Sequence, residues 1–484
     1  MVIIGSGMSG TSIAWHLLMD SKNSTKTPPR IAMVEARQAC SGATGRNGGH
    51  IRPSSYEEYV DAKKVTTQEQ AAKITKFRAD HVDALLYAAG RLPTEQERKA
   101  ASVRAVDSLD VYFEEEPWAE AVRQWETLRK EVPEVGNEWN VLQRDEARRI
   151  SLMPDAVGAL TGTAKVAGAI WGYRFVTNSL KMLLDTYPES LSLDTHTTAT
   201  TVTAASKKSG HNFEVETDRG TILANHVVYA TNSWSPHFVP ILGNALSGGL
   251  LSMSAQLGGA GPGQWPAYHN NVSLPGGRAW SLFLRDGLDY IVQEPENNEY
   301  MYGGGAGVSF PGQGSENQYD DSRLPPPVVA AYLNGALPTY FGYQNWGPER
   351  TDFPADLHPD AIWAGRTKRV WTGIEGFTTD AFPLVGPLSE QFTNRKVQNP
   401  AAGSEWVSAG FNGEGMDYAW LSGKGLSEMI RNHMANNATN EEALFEWFPK
   451  AFLPTEARLR KQNGTAAMGR REVGRNSRRG LGEL

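Results

Sequence analysis

Cysteine is nearly absent from this chain: Cys40 is the only one in 484 residues. No disulfide can form within the chain and no thiolate-based zinc cluster is available, so a reducing compartment fits and a cytoplasmic location is expected. No apolar run approaches the roughly 20 residues needed to cross a bilayer, which argues against a membrane partner. The apolar opening lacks the basic flank and uninterrupted core of a secretory leader. The final Gly482-Glu483-Leu484 is not a peroxisomal ending. Positive charge is also short: the net charge is −7, whereas nucleic-acid binders normally carry a basic face, so nucleic acid is not expected as a partner. The exception is Arg470, Arg471, Arg475, Arg478 and Arg479, set among Gly, Asn and Ser in a stretch read as a solvated, disordered end. No Ser-His-Asp or metal-ligand constellation stands out, so no metal is expected. The pattern Gly-x-Gly-x-x-Gly occurs once, leaving room for one nucleotide.

What is present begins at residue 1. Met1-Val2-Ile3-Ile4 is followed by Gly5-Ser6-Gly7-Met8-Ser9-Gly10 and then by Thr11 to Leu18, whose apolar positions recur at helical spacing. Strand, tight glycine turn and helix open a dinucleotide-binding unit. Gly5 permits the turn, Gly7 lets the backbone approach a pyrophosphate, and Gly10 lets helix pack on strand. The pyrophosphate then lies at the helix N-terminus, near Met8 and Ser9. An acidic residue should end the second strand, and Ile31-Ala32-Met33-Val34-Glu35 supplies one, followed by Ala36 and Arg37. The polar loop from Ser21 to Arg30 makes the spacing longer than the usual ~20 residues. A carboxylate at Glu35 repels a 2′-phosphate and disfavours NADP. Strands of this kind usually begin a few residues before the position of Val2, so either the strand is short or the first residues are missing.

Two further stretches are dense in glycine. Cys40 to Pro53 carries Ser41, Thr44, Arg46, Asn47, Gly48 and Gly49 in a loop able to wrap a polar ligand, its N–H groups forming an anion-binding concavity. Trp406 to Ala409 reads as a strand, Gly410 to Gly415 as a turn, and Met416 onward as a helix through Leu421, Leu426 and Met429. Gly413, Glu414, Gly415 and Met416 thus aim a second helix N-terminus at a ligand, where its dipole favours negative charge.

With these residues, and "GATGRNGGH" (Gly42 to His50) above all, the sequence resembles the D-amino-acid oxidase-like (DAO) family of FAD-dependent oxidoreductases. That family includes glycine oxidase, sarcosine oxidase and γ-glutamylputrescine oxidase, and the loop looks most like the last and its fungal relatives. Five more segments follow in family order: "GAIWGYRFVTNSLKMLL" (Gly168 to Leu184), "TTVTA" (Thr200 to Ala204), "GTILANHVVYATNSWSP" (Gly220 to Pro236), "VWTGIEGFTTDAFPLVGPL" (Val370 to Leu388) and "WVSAGFNGEGMDYAWLSGKGL" (Trp406 to Leu426). The resemblance implies FAD as cofactor. It also implies that Val202 offers its backbone to the adenine, that Ala230 and Thr231 end a strand at the cofactor, and that Gly373 and the 413–416 turn close over the isoalloxazine. FAD bound without a covalent link is expected, because relatives with a linking His carry it where Arg46 stands here.

The implied fold is α/β (α+β overall), a Rossmann-like FAD-binding domain with a discontinuous, mainly antiparallel β substrate domain. The expected division is 1–105, 145–238 and 365–452 for FAD, 106–144 and 239–364 for substrate, and 453–484 as a largely disordered tail. Gly249 to Gln256, Trp280 to Leu284, Leu288 to Glu294 and Tyr300 to Gly303 read as strands. Residues 56–92 and 325–342 read as helical, and Gly303 to Gly305 and Pro311 to Pro327 as loops.

The implied activity is oxidation of a small amine or amino acid by hydride transfer to flavin, giving imine and hydrogen peroxide with oxygen as acceptor. A dehydrogenase using another acceptor, or a flavin-binding protein without amine turnover, are the alternatives. Three residues are candidates for the catalytic site. His50 follows the wrapping loop, where it either tunes the flavin and relays a proton or is a structural histidine. Arg52 offers either a fork for a substrate carboxylate or a structural ion pair. Glu375 replaces an apolar residue common in this motif; a carboxylate there raises a nearby amine's pKa, so it suits a distal cation better than the reacting nitrogen.

Overall fold

The computed structural model describes residues 1–20, 28–257, 276–284, 287–296, 299–305, 318–346, 366–436 and 441–460. Val2–Ile4 is a short strand of buried aliphatics paired in parallel on both sides, with Ile31–Val34 and with Val227–Tyr229. Burial on both faces is what a central parallel strand requires. The alternation of side chains divides the two faces. Ile3 and Met33 join the core under the helix Met8–Met19, while Val2, Ile4 and Val34 join Val202, Phe213 and Val215 on the opposite side. The whole sheet runs Leu384–Leu388, Glu405–Ala409, Val227–Tyr229, Val2–Ile4, Ile31–Val34, Leu191–Asp194, parallel except at its first pair. Helices Gly172–Thr186 and Ala419–Ala435 flank Met8–Met19, and a three-stranded antiparallel sheet, Ala199–Ala204, Phe213–Thr217 and Gly220–Ala224, covers the second face.

The second large sheet has eight strands in the order Thr367–Thr378, Leu246–Gln256, Tyr300–Gly303, Gly287–Gln293, Arg278–Leu284, Asp107–Tyr112, Gly158–Gly162, Trp139–Gln143. Every pairing is antiparallel except that of Arg278–Leu284 with Asp107–Tyr112. Helix Pro327–Trp346 lays Leu333, Leu337 and Phe341 against Trp280, Ile291 and Tyr302. This is the mixed architecture expected from the sequence, and the four strands read in the 249–303 region are present: the first two start two or three residues earlier, the third is shifted by one residue, and the fourth has the expected bounds. The helical reading of 56–92 becomes three helices, Ser55–Val65, Gln68–Ala79 and His81–Gly90.

Sheet membership departs from the expected division in two places. Gly158–Gly162 pairs between Asp107–Tyr112 and Trp139–Gln143, and Thr367–Thr378 pairs along the length of Leu246–Gln256, so both belong to the eight-stranded sheet. The first residues of the expected tail, 453–460, are packed into the fold. Leu459 is fully buried, and Arg458 pairs with Asp380 at 2.7 Å while donating to the carbonyls of Phe382 and Pro383. The arginine-rich stretch beyond 460 lies outside the described residues, as do 311–317 of the expected loop.

Candidate active site

A cavity of about 670 Å³ runs between the two sheets and collects residues from every glycine-rich stretch. At one end the loop Gly5–Ser9 lines it. Gly5 has φ +106°, and a Cβ there would lie 2.5 Å from the Ala230 carbonyl oxygen; a Cβ on Gly10 would lie 2.1 Å from the Gly5 oxygen. Both contacts are closed to any side chain. Helix Met8–Met19 starts at Gly7 with no side-chain cap and no acidic residue in its first turn, so its positive end is open to an anion. The Met8 N–H donates to Thr44 Oγ1 at 3.0 Å. Glu35 stands at the cavity wall and clamps the loop, accepting from the Ser6 hydroxyl at 2.7 Å and from the Arg37 N–H at 3.0 Å.

Of the residues expected at the cofactor, Gly5, Gly7, Met8, Ser9, Glu35, Ala36, Arg37, Thr44, Asn47, Ala230, Thr231, Gly413, Glu414, Gly415 and Met416 line this cavity. Gly10, Ser41, Arg46, Gly48, Gly49, Val202 and Gly373 do not. Gly10 is the helix-packing glycine. Arg46 binds the Ser41, Asp321 and Thr372 carbonyls and pairs with the Asp321 carboxylate at 3.1 Å, so it ties the wrapping loop to its surroundings. The Gly48 N–H donates to the Tyr290 hydroxyl at 3.0 Å. A Cβ on Gly49, at φ +74°, would lie 1.7 Å from the Ile170 oxygen, and one on Gly373 would meet Arg46. Val202 faces the core opposite Val215, and its carbonyl accepts from Arg395; the residues of that segment at the cavity are Thr197, Thr198 and Ala199.

At the far end three segments are held together by two asparagines. Asn232, at φ +46°, accepts the Gly410 N–H at 2.8 Å, and the approach leaves Gly376 no room for a side chain. Asn412 accepts the Thr378 N–H at 2.7 Å and donates its own N–H to the Gly376 carbonyl. The helix expected from Met416 begins as a short 3-10 turn, Gly415–Asp417, and continues as Ala419–Ala435. Behind this turn lies Arg78, which sequence reading passed over. It is 1 % exposed and pairs with Glu58 at 2.5 Å, Asp417 at 2.6 Å and Glu414 at 3.2 Å, with its guanidinium over the Tyr418 ring.

His50, Arg52 and Glu375 all reach the lining, together with Ser281, Leu288, Tyr290 and Ile374. The His50 ring stacks on Tyr290 at 5.5 Å, and its Nε2 has no partner among the described residues. Burial, then the nearby Arg52 charge, pushes His50 well below the usual histidine range, so the ring is neutral. Arg52 is committed elsewhere. Its guanidinium is buried against Asp110, donates to the Ser54 hydroxyl at 2.6 Å, and lies near the rings of Trp139 and Phe283. Asp110 also accepts from Tyr56 at 2.6 Å. Glu375 is partly buried, and burial alone raises its carboxyl to about 7. Asp110, Tyr290, Arg78 and Thr197–Ala199 were missed because each enters from a segment with no glycine motif; Tyr290 alone lay in a strand already read as such.

An open parallel sheet with a glycine loop at the head of its central strand, and a long cavity leading from it, defines a dinucleotide-binding protein. The family model described as DAO, FAD dependent oxidoreductase, matches residues 1–429. The chain belongs to the DAO family of FAD-dependent oxidoreductases; it is an enzyme and its cofactor is FAD. Among solved structures it is similar to glycine oxidase from Geobacillus kaustophilus, with 16% identity, TM-score 0.63, and 94% of this chain and 98% of that one covered. The L-proline dehydrogenase of P. horikoshii gives 16% identity, TM-score 0.63, and coverage of 93% and 96%. The iminodiacetate oxidase of Chelativorans sp. BNC1 gives 14% identity, TM-score 0.59, and coverage of 89% and 95%. A comparison with curated proteins finds no match. No helix among the described residues is long and apolar enough to cross a membrane, and no group of metal-ligating side chains occurs among them.

Proposed function

We propose that this enzyme oxidises a small amine or amino acid at the carbon next to nitrogen, with oxygen as acceptor and imine and hydrogen peroxide as products. The observation that carries the reading is continuity: one cavity joins the glycine loop Gly5–Ser9 to the group His50, Ser281, Tyr290 and Glu375. The lining suits FAD. The helix N-terminus at Gly7 to Ser9 would hold the pyrophosphate, Glu35 to Arg37 and Thr197 to Ala199 the adenosine, and Asn47 with Gly413 to Met416 the isoalloxazine. When bound, FAD takes the hydride and passes the electrons to the acceptor.

The residues around it set the conditions for that transfer. An ammonium with a pKa near ~10.4 needs about 4–5 kcal/mol to become neutral at pH 7. Leu288, Ile374 and Phe411 give the lining apolar surface that disfavours the charged form. His50 stays neutral, so its free Nε2 offers a hydrogen bond without adding a charge beside the reacting nitrogen. Arg52, bound to Asp110, braces the wall. The loop "GATGRNGGH" favours the γ-glutamylputrescine oxidase-like branch, and the single, buried Cys40 suits a cytoplasmic enzyme.

The test is anaerobic mixing of the purified holoprotein with a panel of amines and amino acids, followed by admission of air. Bleaching of the flavin bands with peroxide formed in air supports the reading. Bleaching that is relieved only by an artificial acceptor makes the enzyme a dehydrogenase. Bands that no amine bleaches leave a flavin-binding protein without amine turnover.

A further inference from the structure

The basic groups that line the cavity are already committed. Arg37 holds Asp321 with its two terminal guanidinium nitrogens, at 2.7 and 3.2 Å. Arg52 is buried against Asp110 and Ser54, and His50 is neutral. Behind the lining, Arg78 is shared by three carboxylates, Glu58, Glu414 and Asp417. Each cationic side chain among the described lining residues thus already has a carboxylate partner, Asp321 for Arg37 and Asp110 for Arg52, although Arg52 Nε makes no hydrogen bond among the described residues.

Glu375 is the converse case. It sits on the strand Thr367–Thr378, opposite Gly249, where the neighbouring strand carries no side chain to cover it. Its carboxyl opens on the same cavity as His50, Ser281, Leu288 and Tyr290. Among the described residues none forms an ion pair or a side-chain hydrogen bond with it, and burial raises its proton affinity. A carboxylate taken out of water without a partner is costly, and a ligand that supplies the missing positive charge recovers that cost.

We propose that Glu375 is a specificity-determining residue, and that the substrate is an amine carrying a second positive charge which Glu375 binds. This rests on the amine-oxidation reading above. The chemistry distinguishes the two nitrogens of such a substrate. The reacting nitrogen must be neutral before its α-hydrogen leaves as hydride, and a carboxylate beside it would oppose that. A distal ammonium stays charged through the reaction and gains from the carboxylate throughout. Compounds recognised only by a carboxylate, such as glycine, meet a like charge at Glu375 and cations already paired with carboxylates.

The experiment uses the full-length holoprotein with 1,4-diaminobutane, 1,6-diaminohexane, n-butylamine and glycine as probes. Anaerobic perturbation of the flavin bands reads binding, and their bleaching reads reduction. The native enzyme should bind its better diamine at least ~10-fold more tightly than butylamine, a difference of about 1.4 kcal/mol. Glu375→Gln should bring that ratio toward one, and Glu375→Asp, which keeps the charge, should retain most of it. A preference that survives in Glu375→Gln overturns the proposal. So does an equal loss for diamine and butylamine, which places Glu375 at the reacting nitrogen. Glycine or butylamine bound as tightly as either diamine by the native enzyme overturns the proposal alone. Bands that none of the amines bleaches sink the underlying reading with it.

Discussion

The two ends of the cavity are built from different materials. At the Gly5–Ser9 end the wall is largely backbone: glycines pressed against the carbonyls of Gly5 and Ala230, and a helix N-terminus with glycine at its cap position. At the Glu375 end it is side chains, and the charged ones come in buried sets, Arg52 with Asp110 and Arg78 with Glu58, Glu414 and Asp417. Backbone can be shaped by a short local motif and recognises what any dinucleotide shares. Side-chain sets must be brought from several strands and helices, and they decide which small molecule is admitted. One end is generic and the other particular to this chain.

The contrast can be broken most forcefully at Arg78. Replacing it with Leu leaves two buried carboxylates, Glu58 and Asp417, and the partly buried Glu414 around no cation, and should cost about 3–5 kcal/mol in chemical denaturation of the holoprotein. A loss no larger than that of a surface pair would mean that the particular end is not held by its charges. Next comes Gly10→Ala, whose new methyl meets the Gly5 oxygen; a loss of about 1–3 kcal/mol together with weakened flavin retention is expected. Its control is Gly42→Ala, at φ −81° with open space around the added carbon, which should stay within about 0.5 kcal/mol of the native protein.

Glu375 gives a smaller effect with a definite sign. Its folded carboxyl titrates near 7, above its ordinary value, so between about 4.5 and 7 the folded chain keeps a proton that the unfolded chain has released. Stability contributed by this group is therefore lost as pH rises through that window. Thermal melts should show Glu375→Gln above the native protein at pH 8, with the gap closing by pH 5. The smallest effect belongs to Arg37→Ala. The Arg37 side chain is 44% exposed, so losing its pair with Asp321 should cost under about 1 kcal/mol. Larger losses there would blur the distinction between the two ends.

The same contrast explains what could be read from the sequence. Gly5, Gly7, Gly10 and Glu35 were legible because a turn, a close approach and a strand end are local requirements written within one short segment. Arg46, Gly48 and Gly49 lie in the expected loop but serve a different purpose there, joining it to Asp321, Tyr290 and Ile170 rather than facing the cavity. Val202 lies three residues beyond the lining segment Thr197–Ala199, since which part of a strand borders a cavity depends on how its sheet is placed, with an irregular register here between Ala199 and Thr201. Arg78 had no visible signature at all. In sequence it is one more charged residue on an amphipathic helix, and its carboxylates lie both 20 residues before it and at 414 and 417.

The placement of Val2–Ile4 also bears on how the enzyme comes into being. The strand's neighbour Ile31–Val34 is close in sequence, but its other flank is Val227–Tyr229, which in turn pairs with Glu405–Ala409. Segments far apart in the sequence must therefore meet before the nucleotide cradle is complete, which makes its assembly a long-range step of folding.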